Sequence, residues 1–352
     1  MNTDARPPFS GLRLVERLLI LSVVMTAGCA LGLWLLVSAA RRPAVPQSLP
    51  LAAAGPAFWT PPSLESVSDP ALQAQLRYGR DLIVQTAAYL GPQGSVMRTS
   101  NGMNCQNCHL DAGTRVFGNN YGSVAAQYPK YRARSGTIED LNKRINDCME
   151  RSLNGRALDT LGPELKAIKA YIAFIGSNVP KGAKAEGSGL KALAYLDRAA
   201  DPEAGAGLYV EKCQVCHQAD GSGQLAADGK TYVYPPLWGP HSYNDGAGLY
   251  RLGNFARYIK YNMPLGATHD SPILSDAEAW DIAAYVNTRP RPHKATPHDW
   301  PDVAQKPVDH PFGPYADAFS EQQHKLGPFK PIVEAQQQRT AVQASSASIQ
   351  AK

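Results

Sequence analysis

Two short motifs in this chain place cysteines and histidine at a spacing that suits covalent attachment of a porphyrin. Residues 105–109 read CQNCH and residues 213–217 read CQVCH. Two cysteines separated by two residues and followed at once by histidine are typical of c-type haem attachment. Each thiol can add to one vinyl group of the macrocycle, and the adjacent imidazole then reaches the iron. The motifs predict two covalently bound haem c groups, attached through Cys105, Cys108, Cys213 and Cys216, with His109 and His217 as proximal iron ligands.

Other uses of paired cysteines do not fit these positions. A zinc site built from two C-x-x-C pairs separates them by roughly 15–20 residues, whereas Cys108 and Cys213 are 105 positions apart. A thioredoxin-like motif follows a strand in a βαβ unit, and neither motif here has a Val/Ile-rich run before it. The remaining cysteines, Cys29 and Cys148, provide no disulfide framework if Cys29 lies in a bilayer.

The second iron needs a ligand opposite its histidine. Met263 is the favoured candidate, because it lies in a YNMP run and a loop methionine followed by proline often supplies the thioether in small cytochromes c. A thioether raises the reduction potential, which suits a centre that passes electrons onward. Lys260, His241 and His269 are the alternatives.

The first haem has no comparable Met-Pro loop. Met97 and Met103 lie too close before the motif to reach across the ring, and Met149 is expected to point away from the helical stripe of Cys148. Cys148 is therefore the candidate second ligand, against the alternative that a free cysteine is a small buried hydrophobe. Arg144 lies one turn earlier on the same helix face and would favour the ionised sulfur.

The haem motifs and Cys148 must be positioned by helices, and the sequence contains signals for where these helices begin and end. An apolar pattern near a period of 3.6 residues begins at Asp69 and indicates a helix before the first motif. The segment 137–155 predicts the helix of the candidate thiolate, with Thr137 and Asp140 as a capping box and Gly155 as the C-terminal cap.

The sequence also indicates an internal repeat. A helix is predicted from Pro163, at its first position, to Ile175. Tyr171 in that helix lies 62 positions after His109, and Tyr285 in the last predicted helix of the second domain lies 68 positions after His217. This similarity favours a duplicated haem-binding unit.

The resulting prediction is a mainly α fold, with two tandem cytochrome c-like haem domains after an N-terminal transmembrane helix. A chain of 352 residues is long enough for about two domains. The net charge of +5 is mild and the Lys and Arg residues form no stripe, so a nucleic-acid partner is not expected. The predicted segments are an anchor (1–45), a tether (46–68), the first haem domain (69–180), a linker (181–192), the second haem domain (193–300) and an extended, partly disordered tail (301–352).

The N-terminal segment indicates where in the cell the protein lies. Residues 18–40 form an uncharged run of 23 residues flanked by arginines, which is long enough to span a bilayer. A cleaved signal peptide has an apolar region of only about 7–15 residues. We therefore predict a retained anchor, with cleavage to a soluble periplasmic protein as the alternative. Because haem c is attached outside the bacterial cytoplasm, the domains are expected on the periplasmic side of the inner membrane.

From about residue 69 to 301 the sequence resembles the dihaem c-type thiosulfate dehydrogenases. The resemblance rests on the two haem motifs, RINDCMERSLNG (144–155), PLWGP (236–240) and NMP (262–264). In that family the first haem has a His/Cys ligand pair and is the active site, while the second has His/Met or His/Lys ligation and relays electrons. The resemblance implies that Cys148 is the ligating cysteine and that Arg144 and Arg134 are active-site arginines, although Arg132 lies two residues from Arg134.

The resemblance implies an enzyme that oxidises two thiosulfate ions to tetrathionate. The electrons would pass through both haems to a soluble or membrane-bound cytochrome or another acceptor, and the reverse direction stays open. The alternative is a membrane-tethered dihaem electron carrier or oxidase subunit without a substrate of its own. Cys148 distinguishes the two, because a carrier gains nothing from a thiolate beside an arginine.

Overall fold

A computed structural model describes residues 57–350 and six positions between 19 and 26, with side chains described as far as residue 342. Most of the predicted anchor and part of the tether lie outside these residues. No helix in the described part of the chain is long and apolar enough to cross a membrane. The described chain is mainly helical, as predicted, with two hydrophobic cores, one around each haem motif.

The first domain contains six helices and one hairpin. Its elements are α1 (Pro70–Val84), α2 (Thr86–Leu90), α3 (Leu110–Gly113), α4 (Val124–Gln127), β1 (Lys130–Arg132), β2 (Thr137–Glu139), α5 (Leu141–Arg151) and α6 (Pro163–Ile175), with 3₁₀ turns at Leu64–Ser66 and Cys105–Asn107. Helix α1 begins where the pattern predicted it, because the Asp69 carboxylate accepts the amide protons of Ala71 and Leu72 and Pro70 occupies the first position.

The second domain repeats this plan. Its elements are α7 (Pro202–Lys212), α8 (Gln214–His217), β3 (Gln224–Leu225), β4 (Tyr232–Tyr234), α9 (Leu252–Asn262) and α10 (Asp276–Asn287), with a 3₁₀ turn at Gly248–Tyr250. In both domains the helix before the motif crosses the last helix at a glycine. A Cβ on Gly79 would lie 2.1 Å from the Ala167 carbonyl oxygen, and one on Gly205 would lie 2.0 Å from that of Asp281. This matched crossing supports the duplicated unit.

The start of α5 differs from the prediction. Thr137 does not cap the helix, because residues 137–139 pair antiparallel with residues 130–132 as a hairpin. The cap is Asp140, whose carboxylate accepts the Lys143 amide proton at 2.8 Å. Pairing of the two strands satisfies the N–H and C=O groups of residues 137–139, which would form helical hydrogen bonds if the helix began earlier. The helix therefore begins at Leu141 and keeps its predicted face.

The tail after the second domain also differs from the predicted extended chain. It contains a 3₁₀ turn (Val303–Gln305) and helices α11 (Glu321–Leu326) and α12 (Lys330–Gln350). Its side chains Val308, Phe329 and Ile332 are buried in the second core. Burial of these apolar groups explains why this part of the tail packs rather than extending into solvent.

Residues 299–301 return to the first domain. Asp299 accepts two hydrogen bonds from the Arg151 guanidinium at 2.8 Å each. The Trp300 amide donates to the Arg134 carbonyl oxygen at 2.6 Å, and Pro301 lies against Gly136 in the hairpin loop. Residues 299–301 thus hold both the end of α5 and the hairpin before it.

Candidate active site

The first cavity brings the first haem motif opposite helix α5. It has a volume of about 130 Å³, and its wall includes Cys105, Cys108, His109, Arg144 and Cys148. The 3₁₀ turn at the motif presents both cysteines and the histidine from one side. Helix α5 presents Arg144 and Cys148 from the other, as expected for positions four residues apart.

The His109 ring is oriented for metal binding. Its Nδ1 lies 2.6 Å from the Asn119 carbonyl oxygen, and its ring is 4.5 Å from that of Tyr121. Burial lowers the pKa of His109 to about 4, so the ring is neutral and Nδ1–H is the donor. This leaves Nε2 for an iron, with the backbone carbonyl fixing the ring orientation.

Arg144 supplies a positive charge without a protein partner. Within the described residues its guanidinium makes no hydrogen bond and no ion pair. The Cys148 sulfur raises the pKa of Arg144 above its ordinary value, and Tyr128, Asp147 and Glu139 act in the same direction. A permanently charged guanidinium beside a cysteine sulfur is suited to hold an anion at that sulfur.

Arg134 is placed differently. Its guanidinium donates to the Asp147 carboxylate at 2.5 Å, and it is not among the residues that line the first cavity. Arg132 lies 3.9 Å from the Glu139 carboxylate. The role of Arg134 in substrate binding stays a prediction.

The structure also shows polar groups near this cavity that no motif indicated. The Tyr128 hydroxyl and both Glu139 carboxylate oxygens are buried without a hydrogen-bond partner. Both residues influence the pKa of Arg144. Their positions depend on the fold of the hairpin, so periodicity and motif spacing contain no signal for them.

The expected orientation of Met149 is wrong. Its side chain is fully buried and lines the first cavity together with Cys148, because helix α5 buries a wider arc than a single stripe. Met103, which was expected not to reach, lines both cavities. Three sulfur-bearing side chains besides the attachment cysteines, those of Met103, Cys148 and Met149, therefore line the first cavity.

The second cavity has a volume of about 350 Å³, and its wall includes Cys213, Cys216, His217 and Met263. The His217 Nδ1 lies 2.8 Å from the Pro235 carbonyl oxygen, which again leaves Nε2 for an iron. Burial lowers the pKa of His217, which favours the neutral ring that a metal requires. Met263 lies at the end of α9 on the wall of this cavity.

The alternative ligands are engaged elsewhere. The Lys260 ammonium donates to the Leu274 carbonyl at 2.6 Å and pairs with Asp276 at 2.8 Å. His241 and His269 are not among the residues of the cavity wall. The geometry therefore favours Met263 as the second ligand of the second iron.

Replacing Met263 with alanine tests this ligand. We expect the near-infrared charge-transfer absorption of a methionine-ligated ferric haem to disappear and the potential of the second haem to fall, because a thioether raises it. Optical redox titration of the purified dihaem protein measures both. The matched variant Lys260→Gln should keep the charge-transfer absorption. If the absorption disappeared in Lys260→Gln but persisted in Met263→Ala, Met263 would not be the ligand.

The two cavities share a wall. Met103 and Cys108 line both, and the Tyr258 hydroxyl from α9 donates to the Asn107 carbonyl within the first haem motif at 2.6 Å. Each cavity contains two thiols at the attachment spacing and one oriented imidazole, a donor set that fits haem c. The two cofactors would lie next to each other across this wall.

Comparisons with known proteins agree with this architecture. The SoxA/TsdA cytochrome c domain matches residues 95–180, and the cytochrome c domain matches residues 202–290. The thiosulfate dehydrogenase of Allochromatium vinosum is 43% identical over 237 residues, which cover 66% of this chain and 84% of the relative. That of Stutzerimonas stutzeri is 34% identical over 239 residues, with 68% and 75% covered.

A solved structure is also similar. The thiosulfate dehydrogenase TsdBA from Marichromatium purpuratum, in its as-isolated form, superposes with a TM-score of 0.62 at 35% identity. The match covers 70% of this chain and 52% of that one. The similarity thus spans about half of the solved chain and includes most of the described part of this one.

Proposed function

This chain belongs to the dihaem thiosulfate dehydrogenase family, and we propose that its two haem domains divide the reaction between them. The enzyme oxidises two thiosulfate ions to tetrathionate, and its two covalently bound haems pass the electrons to an acceptor. In our proposal the first cavity binds and couples the substrates, and the second relays the electrons outward. The shared wall at Met103 and Cys108 supports a short path between the two.

The reaction joins two sulfur atoms and releases two electrons. The haems, when bound, supply the electron acceptors. In the proposed sequence the Cys148 thiolate and the terminal sulfur of one thiosulfate form a disulfide bond, and two electrons leave. The terminal sulfur of a second thiosulfate then attacks the outer sulfur, which forms tetrathionate and returns the Cys148 thiolate. This second step is ordinary thiol–disulfide exchange and consumes no further oxidant.

One observation carries the proposal: a guanidinium without a hydrogen bond or ion pair lies beside the Cys148 sulfur in the cavity of the first haem motif. Two thiosulfate dianions repel each other, so a site that joins them needs fixed positive charge, and Arg144 provides it. A simple electron carrier has no use for a half-buried guanidinium that no protein group hydrogen-bonds, because removing such a charge from water is costly.

The location follows from the cofactor. Haem c attachment outside the cytoplasm supports a periplasmic enzyme. We propose that residues 18–40 anchor it to the inner membrane, with cleavage of this segment as the alternative, on the strength of the length of the apolar run. The acceptor, whether a soluble or a membrane-bound cytochrome, would meet the second haem.

Purified dihaem protein tests the activity directly. We expect thiosulfate to drive reduction of ferricyanide, with two ferricyanide ions reduced for each tetrathionate formed, because the coupling releases two electrons. The decrease in ferricyanide absorbance and the amount of tetrathionate formed, both measured in the same stopped reactions, give this ratio. A protein that accepts electrons from dithionite but reduces no ferricyanide with thiosulfate would be a carrier and would contradict the proposal.

A further inference from the structure

Helix α9 leads directly into Met263, but its first turn is not capped by a neighbouring side chain. The helix spans Leu252–Asn262, and the Met263 amide donates to the Ile259 carbonyl oxygen at 2.9 Å. Arg251 is the residue at the N-terminal cap position, and its side chain accepts no hydrogen bond from the helix. The first amide groups of a helix have no partner within the helix, so another group must satisfy them.

Asp309, in the tail, supplies the missing cap. One of its carboxylate oxygens accepts the Gly253 amide proton at 3.0 Å, and the other accepts from Nε of Arg251 at 2.9 Å. Asp309 is only 1% exposed, and its negative charge lies at the positive end of the helix dipole. Because the match to the cytochrome c domain ends at residue 290, this cap comes from outside the matched haem-binding unit.

The tail segment that contains Asp309 is itself fixed in place. Val308 is buried in the second core, and its carbonyl oxygen lies 2.8 Å from Nδ1 of His324 in α11. His324 is 2% exposed, and its Nε2 lies 3.0 Å from the Asp317 carboxylate. Asp309 can therefore hold the start of α9 rather than follow its movements.

The far end of α9 forms part of the wall of the second cavity. The residues of this helix and its C-terminal cap that line the cavity are Phe255, Tyr258, Ile259, Asn262 and Met263. Successive turns of an α-helix are joined by hydrogen bonds and move together. A shift at the end that Asp309 holds is therefore transmitted to the end at which Met263 lies.

We propose that Asp309 is a positioning residue that keeps Met263 on the second iron. The inference rests on Met263 as the ligand of that iron, as favoured above. Asp309 and the Met263 sulfur hold opposite ends of one helix, so the cap opposes the helix movement that accompanies departure of the sulfur. Since a thioether ligand raises the reduction potential, the tail in this way keeps the second haem a good electron acceptor.

Asp309→Ala tests the proposal with imidazole as a competing ligand. External imidazole binds the ferric second haem only when Met263 leaves it, and loss of the methionine charge-transfer absorption reports this exchange. We expect the apparent affinity for imidazole to rise at least about tenfold, because the variant removes the cap and leaves the Arg251 charge uncompensated. The titration uses the purified dihaem protein below its unfolding temperature and needs no thiosulfate.

Asp309→Asn has nearly the same shape and serves even if Asp309→Ala does not accumulate. It keeps an acceptor for the Gly253 amide but removes the charge that Arg251 requires. A smaller rise in imidazole affinity, of about threefold, is expected. An affinity equal to that of the unmodified protein would overturn the proposal.

Asp281→Ala is the matched control. Asp281 is also buried, and its carboxylate also accepts from one guanidinium, that of Arg198, and from one backbone amide, that of Asp201. It lies on α10, however, and not at the start of α9. Its loss should lower the unfolding temperature as the loss of Asp309 does, yet change imidazole affinity by less than about twofold, because the two sites share no partner.

The outcomes separate Asp309 from the ligand on which the inference rests. An equal rise in imidazole affinity in Asp281→Ala and Asp309→Ala would mean general loosening of the domain, and an unchanged affinity in Asp309→Ala would mean that the cap does not act on Met263. Either result overturns the proposal. If the charge-transfer absorption were missing from the unmodified protein, Met263 would not be the ligand, and the inference would fail for that reason instead.

Discussion

Replacing Cys148 with methionine is expected to lower tetrathionate formation by at least about 10³-fold while both haems stay attached. Cys148 would be the nucleophile that carries the first thiosulfate, and losing the nucleophile of a covalent mechanism costs several orders of magnitude. Methionine keeps a sulfur ligand for the iron but cannot form the disulfide bond. Activity is measured as tetrathionate formed per dihaem protein, and haem content by the pyridine haemochrome spectrum.

Electron paramagnetic resonance of the same variant reports on the ligand. The oxidised protein should show a thiolate-ligated low-spin signal that Cys148→Met removes. Met149→Leu is the matched control, because Met149 is the neighbouring residue, lines the same cavity and has no thiolate. If Met149→Leu abolished the low-spin signal instead, or if Cys148→Met formed tetrathionate at the normal rate, the proposed mechanism would be wrong.

The second large effect is expected from Arg144→Gln. We expect kcat/KM for thiosulfate to fall by about 10²–10³, because a preorganised charge that stabilises the reacting anions is removed from a site with little water. Most of the loss should appear in KM if Arg144 mainly binds substrate and in kcat if it acts mainly when the sulfur atoms join. Steady-state kinetics with ferricyanide separate the two.

Lys143→Gln provides the comparison. Lys143 precedes Arg144 on α5, but its side chain is half exposed and pairs with Asp147. The variant therefore removes one positive charge from the same helix without changing the cavity wall. It should change kcat/KM by less than about threefold, as exposed ion pairs contribute little. An equal loss in both variants would mean that the general field of the helix, not contact with substrate, explains the effect.

The cofactors and most helices could be predicted because their signals are local. The haem motifs are defined by covalent chemistry at a fixed spacing, and helix α6 spans Pro163–Ile175 as predicted, with proline at its first position. The i, i+4 relation alone brings Arg144 and Cys148 to one cavity wall.

The features of the site that the sequence did not predict depend on contacts between distant parts of the chain. Arg134 pairs with Asp147 because the hairpin turns the Arg134 side chain toward α5. The strands of that hairpin have only three residues each, which is too short for an alternating apolar and polar pattern to predict them. The depth at which α5 is buried places Met149 in the cavity wall.

The return of residues 299–301 to the first domain has a consequence for biogenesis. Synthesis runs from the N-terminus, so the CQNCH segment leaves the ribosome nearly 200 residues before Asp299 and Trp300 exist. Until they arrive, Arg151 lacks its carboxylate and the Arg134 carbonyl lacks its amide donor. The first domain is therefore completed only after the second haem motif has been made, and a polypeptide cut short after that motif would carry both haem attachment motifs yet lack these contacts in its catalytic domain.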